Sequence, residues 1–195
     1  MISLQYKAVE GELTNAVSSF YRFEYFGKGM RELERADRAQ FCFSLHGSGH
    51  YEFADRRTAP VFPVTIVGPT TMPVTAVSDG PCALTGWGMQ PAGWAGLMGK
   101  DAAKWTDTAI DAHEIFGDSI MQLRDRLITC GEDNDKLFAM LNEAATDIFG
   151  DIDHAPFEFT ALTDQWLSEN LEHDIADLVE KTGLSQRQLE RLTKR

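Results

Sequence analysis

No apolar run in this chain approaches the roughly eighteen residues that a membrane-spanning helix needs. The opening MISLQYKAVEGEL has neither the basic start nor the apolar core of a signal peptide. Cysteine is scarce, odd in number and widely spaced: Cys42, Cys82 and Cys130. That pattern excludes a disulfide framework and a cysteine zinc site, and predicts reduced, buried thiols in a cytoplasmic protein. Histidine is missing from residues 61–94 altogether. Basic residues are few, 18 against 30 acidic ones, for a net charge of −12. Most of the chain therefore repels a phosphate backbone. Neither an internal repeat nor a low-complexity tract interrupts it. Ser48 in Gly47-Ser48-Gly49 is no strand-to-helix nucleophile elbow, and Gly27-Lys28-Gly29 lacks the residues that complete a phosphate loop. No catalytic constellation, cofactor site or metal site is expected, and the chain does not read as an enzyme.

What is present is a composition of 43% hydrophobic and 25% charged residues, that of a globular protein with a real core. The first half reads as strands. Residues 19–27 (SFYRFEYFG) are rich in aromatics, with Phe20, Arg22, Glu24 and Phe26 on one face and Tyr21, Phe23 and Tyr25 on the other. Residues 28–39 are charged and read as a surface loop. Residues 40–46 (QFCFSLH) alternate cleanly, with Phe41, Phe43 and Leu45 on one face. Gly47-Ser48-Gly49 predicts a turn into a short return strand over residues 50–53. Residues 64–67, 74–77 and 82–89 complete the series, with turn residues about every ten positions, the spacing of a small antiparallel sandwich or barrel. Residues 1–19 carry no clear signal.

Gln90-Pro91-Ala92-Gly93 breaks this pattern, and from about Asp101 the period becomes helical. A short helix is expected over residues 110–116. Asp118 caps a second, striped by Ile120, Leu123, Leu127 and Ile128. Asn134 or Asp135 starts a third, striped by Leu137, Phe138, Leu141, Ala144, Ala145 and Ile148. The last two predict an antiparallel hairpin. Residues 151–156 read as a polar linker, and Leu162, Trp166 and Leu167 as a further helix. The fold class expected is α+β: a cupin-like antiparallel barrel or sandwich, then a helical hairpin, then a helix-turn-helix. The divisions are 1–100, 101–150 and 151–195.

The most specific stretch is the last. Asp174 caps a helix through Ile175, Leu178 and Val179, and Gly183 stands where that helix stops. Leu184 follows as an apolar plug. Ser185 with Gln188 three residues on has the spacing of a capping box. Leu189 and Leu192 share one face of the second helix. From residue 185 onward Arg187, Arg191, Lys194 and Arg195 stand against a single acidic residue, Glu190. This is a helix-turn-helix with exposed basic and amide side chains on its second helix.

Gly183-Leu184-Ser185 followed by Arg187-Gln188-Leu189-Glu190-Arg191-Leu192 resembles the first helix-turn-helix of the AraC/XylS transcription regulators. Val179 and Thr193 depart from it, standing where the family usually has alanine and phenylalanine. Val67-Gly68-Pro69 and Pro91-Ala92-Gly93-Trp94 look like landmarks of one sensor type in that family, which places a cupin-like module before the DNA-binding region. The resemblance implies a ligand-responsive regulator, with a second such motif in a longer protein. It also implies DNA contacts from Gln186, Arg187, Glu190, Arg191 and Lys194, with Arg187, Glu190 and Arg191 at positions that face bases or backbone. DNA, a small-molecule effector and a second copy of the chain are the expected partners, and a membrane is not. Among the barrel aromatics, Phe23, Tyr25, Phe43 and Trp87 are expected to line the effector pocket. Trp94 and Trp105 fall where a sensor would meet the helices. His46 and His50 (HGSGH) with Glu52 suggest a cupin metal site. The intervening turn and the missing second-half histidine argue against it. The alternative reading is a cupin-type small-molecule-binding protein or metalloenzyme whose terminal helices are structural.

Overall fold

The computed structural model describes residues 1–150, 154–169 and 174–193. Its first part holds ten strands in two antiparallel sheets. The first sheet has the order β1 (Ile2–Ala8), β2 (Val17–Tyr25), β9 (Cys82–Met89), β4 (Gln40–His46), β7 (Val64–Val67) and β10 (Ala109–Asp111). The second has β3 (Met30–Glu34), β8 (Val74–Ser78), β5 (Gly49–Glu52) and β6 (Thr58–Pro60). The class is α+β, with the sheets first and the helices after.

Register explains how the first sheet divides its side chains. Phe20 lies opposite Trp87, Trp87 opposite Phe41, Phe41 opposite Ile66, and Ile66 opposite Ile110. These five form one buried row across five strands. The Phe41 and Trp87 rings stack at 4.6 Å, and Phe20 meets Trp87 edge-on at 6.4 Å. Helices α3 (Asp118–Ile128) and α4 (Asn134–Gly150) cover this face. Their Ile120, Leu127, Leu137, Phe138, Leu141 and Ala145 join the same cluster, so sheet and helices share one core. Arg22, only 6% exposed, clamps the two layers. Its guanidinium donates to the Gly131 carbonyl at 2.7 Å, to Asn134 Oδ1 at 2.9 Å and to Glu24 at 2.9 Å. The other face of the first sheet turns toward the second sheet.

Several expectations are corrected. Residues 1–19 are not featureless: β1 is an edge strand whose alternating Ile2, Leu4 and Tyr6 are half open to solvent. Residues 28–39 contain β3, hidden from a hydropathy reading because two of its three inward positions, Glu32 and Glu34, are charged. β5 is no hairpin return of β4: both edges of β4 are already paired, with β9 and β7, so the chain crosses to the second sheet. β9 is not the last strand. Residues 109–111 pair with the open edge of β7, and only His113–Phe116 (α2) is helical. Pro91 does not merely break the strand pattern. It opens α1 (Pro91–Met98), where a residue without an N–H loses no bond. Pro156 likewise sits in the first turn of α5 (His154–Glu169), so part of the expected linker is helix, and residues 151–153 lie outside the described residues.

α1 packs against α5, and α5 carries Trp166 into a small core with Leu178 of α6 (Ile175–Thr182) and Leu189 of α7 (Gln186–Thr193). Leu162, Val179 and Leu184 pack around it.

Gly86 sits in the middle of β9, between β2 and β4. A Cβ there would stand 1.8 Å from the Phe41 carbonyl oxygen. The Gly86→Ala variant is expected to lose about 1–3 kcal/mol of stability through overpacking. A urea melt checks this: the midpoint falls, and an unchanged midpoint contradicts the tight approach.

Candidate functional site

Alternation decides what the inner face of the first sheet presents. On β4 the inward residues are Gln40, Cys42, Ser44 and His46, interleaved with the buried Phe41 and Phe43. On β2 they are Ser19, Tyr21 and Phe23. On β9, Gly86 and Gly88 lie between these strands, with Tyr21, Gly86 and Cys42 in one row. Two positions without side chains keep the floor open. Across the gap, β3 presents Met30, Glu32 and Glu34, and the second sheet adds Tyr51, Val74 and Ala76. Together they enclose a cavity of about 540 Å³.

Its chemistry is mixed. The Cys42 thiol is pushed up to about 12 by burial, partly offset by a hydrogen bond from Tyr21. The Tyr21 and Tyr51 hydroxyls are held well above the usual phenol range, in each case first by burial and then by Cys42. Glu34 is raised by loss of water around its carboxyl, then by Asp37 and Glu32. It still reaches solvent, because the cavity is open at its mouth.

Of the aromatics expected to line a pocket, Phe23 does so. Phe43 and Trp87 are completely buried on the helix-covered face and do not. Tyr25 sits at the end of β2, where its hydroxyl donates to the Gly29 carbonyl at 2.5 Å. The aromatic face of β4 is thus turned away from the cavity. Sequence reasoning missed the polar face between those aromatics, Gln40, Cys42 and Ser44, and it missed Tyr21, Tyr51 and Glu34. The signal was available: a polar set alternating with buried aromatics marks a second covered face. His46 and His50 both border the cavity, but from strands of different sheets. His50 lies 3.3 Å from Glu52. Among the described residues no three His, Cys, Asp or Glu side chains converge as metal ligands. No described helix is long and apolar enough to cross a membrane.

The second candidate surface is the helix-turn-helix. Asp174 caps α6 by accepting from the Ala176 N–H at 2.9 Å. Gly183 ends it with φ of 66°, and its N–H returns to the Val179 carbonyl at 2.9 Å. A left-handed residue here requires no Cβ. At the start of α7 the Gln188 side chain accepts from the Ser185 N–H at 2.9 Å and from its hydroxyl at 2.7 Å. This is one arm of the capping box, since the hydroxyl is spent on the glutamine side chain. Leu189 is buried against Trp166 and Leu178, which turns Gln186, Arg187, Glu190 and Arg191 outward. Gln186 donates to Glu190 at 3.2 Å. Lys194 lies outside the described residues.

Arg38 stands between the two surfaces. It borders the cavity, while its guanidinium bonds to Gln90, the residue that caps α1, and to Asp164 of α5 at 3.3 Å.

No protein-family model matches the chain, and no curated protein matches it in sequence. Over most of its length the chain is similar to AraC-like regulators. The apo K231A form of ToxT from Vibrio cholerae aligns at 10% identity and TM-score 0.45, over 88% of this chain and 73% of that one. The AraC-like transcriptional activator CuxR aligns at 10% identity and TM-score 0.41, over 99% and 80%. A cupin 2 conserved barrel domain protein from Rhodopseudomonas palustris covers 55% of this chain and 80% of its own, at 16% identity and TM-score 0.33.

Two measurements check the cavity's electrostatics. Thiolate is the reactive form, so Cys42 is expected to alkylate roughly a thousandfold more slowly than an ordinary thiol. Iodoacetamide labelling mapped by mass spectrometry should leave it unmodified in the folded protein and label it in urea. Glu34 has a folded pKa raised above its unfolded one, so its contribution favours folding in acid and turns unfavourable as pH rises through the folded value. Glu34→Gln should therefore be more resistant to urea than the parent at neutral pH, with the gap closing in acid. A pH-independent difference contradicts the desolvated carboxyl.

Proposed function

We propose that this protein is a ligand-responsive, sequence-specific DNA-binding regulator of the AraC/XylS type, acting in the cytoplasm and catalysing no reaction. The observation that carries this reading is the capped helix-turn-helix, whose packing leaves Arg187 and Arg191 outward on α7. In this reading α7 enters the major groove. Arg187, Glu190 and Arg191 meet bases or backbone, and Gln186 and Lys194 lie nearer phosphates. The acidic remainder of the chain confines the nucleic acid to this helix.

The β module, residues 1–100, holds the effector in the cavity, and the helices of residues 101–150 relay its state or pair with a second copy. A homodimer reading two half-sites fits such a role. The relay runs through α1 and α5, where Arg38 joins the cavity mouth to a helix whose Trp166 anchors α6 and α7. The runner-up, a cupin-type binding protein or metalloenzyme with structural terminal helices, accounts for the cavity equally well. It leaves the outward arginines without a task.

The test is selection of binding sites by the gene product from a random duplex library, followed by anisotropy titration on the selected site. Arg191→Ala is expected to weaken specific binding by about 1–3 kcal/mol if it reads a base. Helix content by circular dichroism should not change. Unaltered affinity in both Arg187→Ala and Arg191→Ala sinks the assignment of α7 as the reading helix.

A further inference from the structure

The two sheets have four edge strands, and three of them are blunted. β6 and β10 are three residues long, and β6 ends in Pro60. β3 carries Arg31, Glu32 and Glu34 within five residues. Charge, proline and shortness keep a strand edge from pairing with another chain. β1 is left open. It is seven residues long, pairs with β2 from Ile2 to Ala8 without a bulge, and holds one charged residue, Lys7. Among the described residues nothing pairs with its other edge.

The hydrogen-bond phase of that edge is fixed. The Phe26 N–H donates to the Met1 carbonyl at 3.1 Å, so Met1, Ser3, Gln5 and Lys7 turn their peptide groups toward β2. The N–H and C=O groups of Ile2, Leu4, Tyr6 and Ala8 point outward. Side chains alternate in step. Ser3, Gln5 and Lys7 lie on the helix-covered side, where Gln5 accepts from Asn134 at 2.6 Å. Ile2, Leu4 and Tyr6 border the cavity and are 54%, 49% and 65% exposed. The even-numbered residues thus hold both the outward peptide groups and the uncovered apolar side chains.

An antiparallel copy of the same strand satisfies both at once. With Gln5 on a two-fold axis, Leu4 faces the partner's Tyr6, Ile2 the partner's Ala8, and Ser3 the partner's Lys7. Every even residue then meets an even residue, as the exchange of paired N–H···O=C bonds requires. The apolar side chains fall on one face of the joint sheet, where a leucine beside a tyrosine ring is a favourable cross-strand pair. The strand's one charge stands opposite serine and not opposite its like. A register moved by one residue would set outward peptide groups against inward ones.

We propose that β1 is a homotypic pairing edge: two copies of this chain join antiparallel through their β1 strands, with Gln5 at the two-fold axis. The pairing uses up both open edges, so the assembly closes at two. It continues the cavity wall formed by Ile2, Leu4 and Tyr6 into the partner subunit. This names the surface of the homodimer in the reading above and leaves the helices of residues 101–150 the relay. It rests on that reading only for what the dimer serves. It is read by mass and not by DNA affinity, so the failure of either is seen separately.

The experiment is sedimentation velocity on the whole chain without DNA. A seven-residue strand pair is a small interface, so the chain is expected to pass from monomer to dimer over micromolar to submillimolar concentrations. Tyr6→Pro removes an outward N–H and leaves the bonds to β2 intact, as an edge strand permits. It should weaken dimerisation roughly tenfold or more, since symmetry removes the donor from both copies. Gln5→Glu and Gln5→Lys should each weaken it about threefold by setting like charges at the axis. An equimolar mixture of those two should dimerise more tightly than either alone. Circular dichroism melts check that each variant folds, and the charge-swap mixture decides the matter if Tyr6→Pro does not. A parent chain that stays monomeric at submillimolar concentration overturns the proposal. A dimer that Tyr6→Pro leaves unchanged also overturns it and moves the interface to the helices. So does a mixture no tighter than its components.

Discussion

The first sheet must be covered on both faces, and the rest of the molecule follows from how that is done. Its strands carry two alternating sets of residues, one bulky and apolar, the other smaller and more polar. The row Phe20–Trp87–Phe41–Ile66–Ile110 is the larger apolar payload and calls for helices, which α3 and α4 supply. Arg22 is buried between the layers, and its three hydrogen bonds offset the loss of hydration of its guanidinium. Because bulk is concentrated on the helix face, the other face is built from small and polar residues. A second sheet facing such residues encloses space instead of packing solid.

The cavity is therefore a by-product of the same alternation that builds the core. Gly86 and Gly88 remove side chains where β9 crosses its floor, and Tyr21 and Cys42 meet across the gap. At the mouth the chain passes directly from cavity wall to connector. Arg38 lies between Asp37, whose backbone bonds Thr70, and Ala39, whose carbonyl accepts from the Met89 N–H. Its guanidinium then reaches α1 and α5. Two residues beyond Asp164, Trp166 enters the core of the helix-turn-helix. The cavity and the outward face of α7 are thus separated by one ion pair and one helix.

The helix-turn-helix was legible at the level of single residues. Asp174, Gly183, Ser185, Gln188 and Leu189 each act through neighbours within a few positions, and caps, left-handed turns and helical stripes are local by nature. The strands over residues 40–46, 64–67, 74–77 and 82–89, and the stripes of α3 and α4, were legible for the same reason. β3, β10 and the crossing into β5 were not. Each exists because a distant edge needs a partner: β8 for β3, β7 for β10, and β8 with β6 for β5. The aromatic alternation of β4 is readable from sequence, but the layer that covers it is not, and so the sequence does not reveal that Phe43 and Trp87 face the helices and not the cavity.

By itself the sequence determined the periods, the caps and the basic face of α7, since these depend on side chains three or four residues apart on one helix, or two apart on one strand. Only the tertiary structure decided which face of the first sheet meets helices and which meets the second sheet. That choice depends on the summed burial of residues from five strands and two helices, and no single segment contains it. The cavity, the inward turn of Glu32 and Glu34 and the placing of Arg38 against Asp164 all descend from it.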